Sequence, residues 1–276
     1  MMWAATVIYT IWLRDCKAFI RERSRIIAMI AQPLMYLLIV GQGIASGLNL
    51  KGGAGSVGYL LFMYPGILGM SVLFTSVFSA MSIIWDREFG FLKEVLVAPA
   101  PRWAVAVGKI LGGATVAMVQ AVILIALAPF LGVGLSIEVV VELLAMCFLI
   151  SMAITSLGVC IAAGMRSMQG FQMVMNFLVM PLYFLSGAMF PVASAPYWMK
   201  ALMAVDPLTY GVDGLRNVVM SAAGEPSAAG GETMLEAARA AGLVRWDLSF
   251  DAAIMVLAGL LLAGIAAWRF SRANNE

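Results

Sequence analysis

Long apolar runs separated by short charged stretches constrain this chain more than any other feature. The hydrocarbon core of a bilayer is about 30 Å thick, and an α-helix crosses it with about 20 apolar residues. With 63% apolar and 12% charged residues, against about 25% charged in soluble domains, the composition is that of a polytopic membrane protein. We therefore predict an all-α membrane protein with six spans, near residues 26–48, 58–85, 104–131, 138–164, 171–190 and 250–269.

The distribution of Lys and Arg predicts the orientation of these spans. An even number of spans places both termini on one side, and that side holds twelve of the seventeen Lys and Arg residues. Short loops rich in Lys and Arg stay in the cytoplasm. We expect both termini to be cytoplasmic.

The first 25 residues are too charged to span a bilayer and lack the apolar core and cleavage site of a secretory signal. Their apolar residues recur at steps of three and four, which predicts an amphipathic helix in the inner interface. A plain basic anchor that obeys the charge rule is the alternative. The apolar positions are Val7, Ile8, Ile11, Trp12, Cys16, Phe19 and Ile20.

The stretch Asp86–Arg102, DREFGFLKEVLVAPAPR, is the most polar connection between two spans and carries six of the chain's thirty-two charged residues. It is called the coupling segment below. Apolar residues from Phe91 to Leu96 form one stripe of a short helix, which Pro99 ends. A stripe flanked by charges suits a helix that docks in a groove of a partner protein. The alternative is that this apolar stripe contacts the bilayer or neighbouring loops.

Prolines interrupt the chain after the fifth run. Pro191, Pro196 and Pro207 make one unbroken span over 171–223 implausible, and irregular backbone at membrane depth must be buried in protein or line a cavity. A re-entrant hairpin satisfies both conditions. Asp213 and Arg216 stand three residues apart on the helix after Pro207, so we expect them to pair.

The residues offer little for catalysis. The chain contains no histidine, no catalytic group stands beside a base, and Gly108-Lys109-Ile110 lacks the glycines and hydroxyl of a phosphate loop. Asp247 and Asp251 have a metal-binding spacing without a companion motif, so we predict neither a metal site nor an enzyme. An ion-gradient-driven secondary transporter is the alternative class. Such transporters place ionisable residues near the bilayer midplane, where this chain has amides such as Gln120 and Asn176.

Two separated motifs resemble the ABC-2 type transporter permeases. The first is the coupling segment together with Gly108-Lys109, and the second runs from FLSGAMFP at Phe184–Pro191 to DPLTYGVDGLR at Asp206–Arg216. The resemblance covers nearly the whole chain, and the drug-export and lipo-oligosaccharide-export permeases look most similar. Asp206 departs from the family, which often has Asn there.

The resemblance implies one transmembrane domain over 1–276, in a bacterial or archaeal inner membrane, with no nucleic acid as partner. Its parts are an interface helix (1–25), spans 1–5 with the coupling segment (26–190), a re-entrant and outer loop (191–249), and span 6 with the tail (250–276). The partners implied are two cytoplasmic ATPase subunits, which bind ATP and Mg²⁺, a second permease, expected to be identical, and membrane lipid. This chain itself is expected to bind no cofactor and to export an amphipathic drug, lipid or lipid-linked glycan.

Three groups of residues are assigned roles through this resemblance. For Arg87 and Glu88, a mutual salt bridge within the loop is an equal alternative to contact with the ATPase. The residues expected to couple to the ATPase are Arg87, Glu88, Gly90, Leu92, Glu94, Leu96 and Arg102. The outer re-entrant group is Pro207, Tyr210, Asp213 and Arg216. Met175, Asn176, Met180, Tyr183 and Phe184 are candidates for lining the pathway, although plain packing is the favoured explanation for the methionines.

Overall fold

The computed structural model describes residues 2–36, 39, 54–90, 101–131, 133–190, 192–223 and 233–272. Every regular element within these ranges is a helix. The α-helices are α1 (Met2–Arg21), α2 (Arg23–Met35), α3 (Ala54–Ser79), α4 (Met81–Glu88), α5 (Arg102–Ala126), α6 (Ile137–Ala163), α7 (Met168–Leu185), α8 (Tyr197–Val205), α9 (Pro207–Ala222), α10 (Met234–Ala240) and α11 (Leu248–Arg272).

Five stretches are long and apolar enough to cross a membrane, and each matches a predicted run within a few residues. They are Leu61–Glu88, Arg102–Ala126, Ile137–Ala163, Met168–Leu185 and Leu248–Arg272. The run at 26–48 begins in α2, and most of its remainder lies outside the described residues. The third and fifth runs end earlier than predicted. A short 3₁₀ helix, Ala128–Leu131, follows α5, and Gly187, at φ 73°, follows α7 in a conformation that favours glycine.

The core of the bundle forms around α6, which packs against α3, α5, α9 and α11. Small residues permit this close packing. A Cβ atom at Gly158 would come within 2.9 Å of the Ala80 side chain, and one at Gly113 would come within 2.7 Å of Thr155. In lipid, where burial of apolar surface gives helices little reason to associate, such close contact is the main source of helix attraction.

Helix α1 packs along α5 at Gly108 and Gly112, two glycines four residues apart. Ile11 lies against Gly108 and Asp15 lies against Gly112. The indole Nε1 of Trp12 donates to Thr115 Oγ1 over 2.9 Å. Gly108 and Gly112 therefore serve packing within the chain, while the placement of α1 in the membrane interface stays a prediction.

Helix α2 contains a proline whose effect on the backbone is compensated by another helix. Pro33 has no N–H, so the carbonyl of Met29, four residues earlier, lacks its usual helical donor. The side chain of Gln120 on α5 donates to that carbonyl over 2.9 Å. Thr75 on α3 in turn donates to Gln120 Oε1. One buried amide therefore connects α2, α3 and α5.

The stretch after α7 is broken into short helices. A 3₁₀ turn at Val192–Ser194 is followed by α8 and α9, which meet at Asp206 and Pro207. The expectation that no single span covers 171–223 is confirmed. The polar stretch before α11 forms α10, whose start is closed by a capping box between Thr233 and Glu236.

Candidate coupling and transport site

Four charged residues form a cluster where α1, α4 and α5 meet. Lys109 Nζ lies 2.6 Å from Asp86 Oδ2 and 3.1 Å from Asp15 Oδ2, and it also donates to Ser82 Oγ over 3.0 Å. Arg14 donates to Asp15 over 3.0 Å and also pairs with Asp86. Lys109 is only 4% exposed. A lysine so deeply buried requires acidic partners, and here it has two, which fixes the three helices to one another.

Arg87, the next residue, holds the end of α6. Its guanidinium donates to the carbonyls of Met165, over 2.5 Å, and Ala163, over 3.1 Å. The last carbonyls of a helix have no helical donor, and an arginine both satisfies them and complements the helix dipole. Among the described residues Arg87 forms no salt bridge with Glu88, and its contact with the ATPase stays a prediction. Glu88 itself is exposed.

The coupling segment is anchored at both ends. Gly90 has φ 81°, a left-handed conformation that turns the chain directly after α4. At the far end, Arg102 starts α5 and donates to the carbonyl of Ser271 at the end of α11 over 3.3 Å. Residues 91–100 lie outside the described residues, so the predicted short helix and the roles of Leu92, Glu94 and Leu96 stay predictions.

The junction of α8 and α9 is built on Asp206 and Pro207. Asp206 Oδ1 accepts from Leu208 N over 2.9 Å, and Pro207 occupies the first helical position, where a missing N–H costs nothing. The Tyr210 hydroxyl donates back to the carbonyl of Ala204 over 3.0 Å. Burial raises the pKa of Asp206 to about 7, against the lowering effect of the bond from Leu208. Asp206 therefore caps α9 in a buried environment that disfavours its ionised form.

Asp213 and Arg216 take main-chain partners, which corrects the prediction of a direct pair. Asp213 accepts from the N–H groups of Arg245, at 3.0 and 3.2 Å, and Trp246, at 3.0 Å. Arg216 donates to the carbonyls of Leu243 over 3.1 Å and Gly187 over 3.0 Å. An ion pair between the two side chains is absent from the part of the chain that the structure describes. The spacing indicated proximity, whereas the backbone of the loop before α11 supplied closer partners.

The electrostatics of this outer group follow from burial. Arg216 is 1% exposed, and its guanidinium lies 4.5 Å from the centre of the Phe62 ring. Burial lowers the pKa of Arg216 to about 10, with Asp213 acting in the opposite direction. Burial also raises the pKa of Asp213, and the two N–H donors oppose this. The two side chains thus secure the loop before α11 to α9.

The five candidate pathway residues divide between two faces of α7. Met175 and Tyr183 are buried in the core of the chain, where they cannot line a pathway in this conformation. Asn176, Met180 and Phe184 lie on the exposed face. Gln169 and Gln172 are also exposed and stand at helical steps from Asn176, so this face carries a stripe of three amides.

Sequence reasoning missed three participants for which a signal existed. Arg14 and Asp15 stand among the apolar positions of the first helix, and a charged residue that becomes buried needs a partner of opposite charge. Pro33 within an apolar run leaves one carbonyl without a donor, which calls for a polar residue such as Gln120 on a neighbouring span. Each signal identifies one member of a contact, but only the structure identifies its partner.

Asp247 and Asp251 do not form a common site. Asp247 is exposed and its carboxylate accepts from Arg239 over 2.8 Å. Asp251 is fully buried in the first turn of α11. Groups of three or more potential metal ligands are absent from the described ranges. The two aspartates therefore differ in environment.

Comparison with known proteins identifies the family. The family model described as ABC-2 type transporter matches residues 6–220. The transport permease ycf38 of Cyanophora paradoxa is 29% identical over 72% of this chain and 70% of its own length. The inner membrane transport permease YadH of Escherichia coli K12 is 23% identical over 78% of this chain and 83% of its own. Nodulation protein J of Rhizobium leguminosarum is 25% identical over 76% of this chain and 80% of its own. With this match across most of its length, the chain belongs to the ABC-2 type transporter family and is a multi-pass membrane transport permease.

Proposed function

We propose that this chain is the permease subunit of an ATP-driven exporter and that the coupling segment receives the movement of a separate ATPase subunit. The observation that carries the proposal is the anchoring of that segment. Its first residues are bound to α1, α5 and α6 through Asp86 and Arg87, and its last residue is bound to α11. A displacement of the segment would reach four helices of the bundle at once.

The exposed amides of α7 support a second permease subunit. Gln169, Gln172 and Asn176 lie on the exposed face of a helix that is apolar enough to span a membrane. Amide groups facing hydrocarbon are costly because lipid tails offer them no hydrogen bonds. A second copy of the chain, or a polar pathway between two copies, would satisfy them. In the proposed assembly, two permeases stand above two ATPases, and both termini are cytoplasmic.

Substitutions in the coupling segment test the proposal. Leu92→Asp and Leu96→Asp should each weaken association with the ATPase, because a buried and unpaired carboxylate is strongly penalised. Glu94→Lys changes a charge at the rim of the contact, so its smaller effect should depend on salt, which screens charges over about 8 Å at physiological ionic strength. All three variants should insert normally.

The measurement is co-purification of the ATPase together with transport-stimulated ATP hydrolysis after reconstitution. Glu138→Gln, on an exposed residue in the first turn of α6 and outside the coupling segment, is the matched control and should retain both activities. Association and stimulated hydrolysis that survive Leu92→Asp and Leu96→Asp would show that the segment is only a solvated loop.

Orientation is tested separately with an impermeant thiol reagent on intact cells. A cysteine near Ser167 should be protected and one near Ser227 should be labelled. The opposite pattern would overturn the proposed topology.

A further inference from the structure

Two neighbouring cavities lie in a cleft between α1–α2 and α3–α4, with α5 as the floor. The cavity beside the charged cluster has a volume of about 380 Å³, and its lining includes Arg14, Asp15, Glu22, Arg25 and Asp86. The apolar cavity has a volume of about 170 Å³, and its lining includes Met29, Tyr36, Ile67, Met70, Phe74 and Phe78. Arg25 lines both cavities. The two spaces therefore adjoin at one arginine.

The walls of the cleft change character along its length. On α3–α4 a row of polar residues at steps of three and four continues from one cavity into the other, through Ser71, Thr75, Ser79, Ser82 and Asp86. At about 1.5 Å per residue, this row extends over roughly 22 Å, most of the thickness of a hydrocarbon core. The floor, on α5, begins with the small residues Gly112 and Gly113 and ends at Gln120. The cleft is thus elongated, with charges at one end and aromatic and methionine side chains at the other.

Arg25 differs from the other cations of the cleft in its partners. Arg14 and Lys109 each contact two carboxylates, and Lys109 Nζ lies 2.6 Å from Asp86 Oδ2. Within the described residues, the Arg25 guanidinium has one ion pair, 3.7 Å from Glu22, which is longer than a hydrogen bond. A guanidinium carries five N–H donors in a planar fork that suits a phosphate or carboxylate. Compared with Arg14 and Lys109, Arg25 therefore has more N–H donors available for a ligand.

The acidic residues of the cleft do not offer a comparable site for a cation. Asp15 and Asp86 are each occupied by Arg14 and Lys109. Glu22 is partly exposed, and Arg25 is its ion-pair partner. A ligand with a negative head would compete with this long contact and with the Phe19 ring, whose centre lies 5.9 Å from the Arg25 guanidinium carbon. The methionines beyond Arg25 can adapt to varied apolar chains.

We propose that this cleft binds an amphiphile with an anionic phosphate or carboxylate head at Arg25 and an apolar chain between α2 and α3. That this ligand is the exported cargo rests on the proposed function, whereas the binding site itself does not. A resident anionic lipid of the bilayer presents the same chemistry, and the transport arm of the experiment separates the two sources.

Binding to the purified permease alone, without an ATPase, is the first arm of the test. The probe is lysophosphatidic acid with a fluorescent acyl chain, compared with a monoacylglycerol that carries the same chain but no phosphate. Arg25→Gln should weaken binding of the anionic probe by about tenfold or more, because hydrogen bonds to charged groups are lost. The monoacylglycerol should bind weakly to both proteins. Arg25→Lys should fall between wild type and Arg25→Gln.

Matched variants keep the result specific. Arg23→Gln removes a charge two residues away on an exposed position that does not line the cleft, and it should change affinity less than about twofold. Ala28→Phe fills the apolar cavity, whereas Ala31→Phe adds the same bulk outside it, so only the first should reduce binding. Equal thermal unfolding of the wild type and the five variants establishes that folding is unchanged.

The outcomes separate this inference from the proposed function. Unchanged binding in Arg25→Gln, or equal affinity for the neutral probe, would overturn the inference even if ATP-driven transport is found. Binding that depends on Arg25 supports the site even if no ATPase associates. In the reconstituted complex, ATP-dependent movement of the bound probe would identify it as cargo, and binding without movement would identify a resident lipid site.

Discussion

The hydrogen bond from Gln120 to the Met29 carbonyl exists because Pro33 cannot supply one, and a double-mutant cycle can test this. In Gln120→Leu, the Met29 carbonyl loses its donor, and the Thr75 hydroxyl loses its acceptor. Leaving a buried polar group without a partner costs about 1–3 kcal/mol. Gln120 is 4% exposed, so water does not readily take its place. We expect the variant to lose about 2–4 kcal/mol of unfolding free energy.

Pro33→Ala changes this cost because alanine restores a backbone N–H that can bond to the Met29 carbonyl. In that background, Gln120→Leu should lose only the part due to Thr75, and the coupling energy between positions 33 and 120 should be about 1–2 kcal/mol. The cycle also cancels the effect that proline itself has on helix α2. Gln172→Leu, on the exposed face of α7, is the control and should be additive with Pro33→Ala.

The assay is equilibrium unfolding in mixed micelles with increasing dodecyl sulfate, followed by tryptophan fluorescence. The slope of the transition should be the same in all variants, so that midpoints report stability. An equal loss from Gln120→Leu in the wild-type and Pro33→Ala backgrounds would refute the argument that Gln120 replaces the bond missing at Pro33.

Two further predictions concern charged groups. Lys109→Met should lose about 3–5 kcal/mol of unfolding free energy, because it leaves Asp15 and Asp86 with Arg14 as their shared cation. The control Lys17→Met, on the exposed face of α1, should lose little, and equal losses would contradict the cluster's role. Asp206 has its folded-state pKa raised from 3.8 to about 7, so wild-type stability should be full below pH 4 and fall by up to about 4 kcal/mol as pH rises to 7. Asp206→Asn retains a capping side chain without a charge. Its free energy of unfolding, measured over the same pH range, should therefore fall less than that of the wild type. Parallel pH curves for the two proteins would contradict the raised pKa of Asp206.

Much of the helical layout could be predicted from the sequence because lipid leaves few solutions. Apolar runs at 138–164 and 250–269 became α6 and α11 within a few residues, since a span must satisfy its own backbone hydrogen bonds. Pro191, Pro196 and Pro207 likewise excluded a continuous helix, because proline interrupts the hydrogen-bond ladder. These predictions depend on local chemistry alone.

Contacts between distant segments were harder to predict. The three-residue spacing of Asp213 and Arg216 made them neighbours, but the N–H groups of Arg245 and Trp246 became the partners of the aspartate. Arg87 likewise binds carbonyls at 163 and 165, which no periodicity in the sequence connects to it. Met175 and Asn176 are adjacent in sequence, yet Met175 is buried and Asn176 is exposed. Which face is buried depends on how the other helices pack.

The most direct test of the account is transport by the purified permease with and without its ATPase subunit in proteoliposomes. A fluorescent amphiphile is followed in the presence of ATP, and then with an imposed proton or sodium gradient instead. We predict movement only when both proteins and ATP are present, and its loss in Leu92→Asp. Movement by the permease alone, driven by an ion gradient without ATP, would contradict the account and establish a secondary transporter.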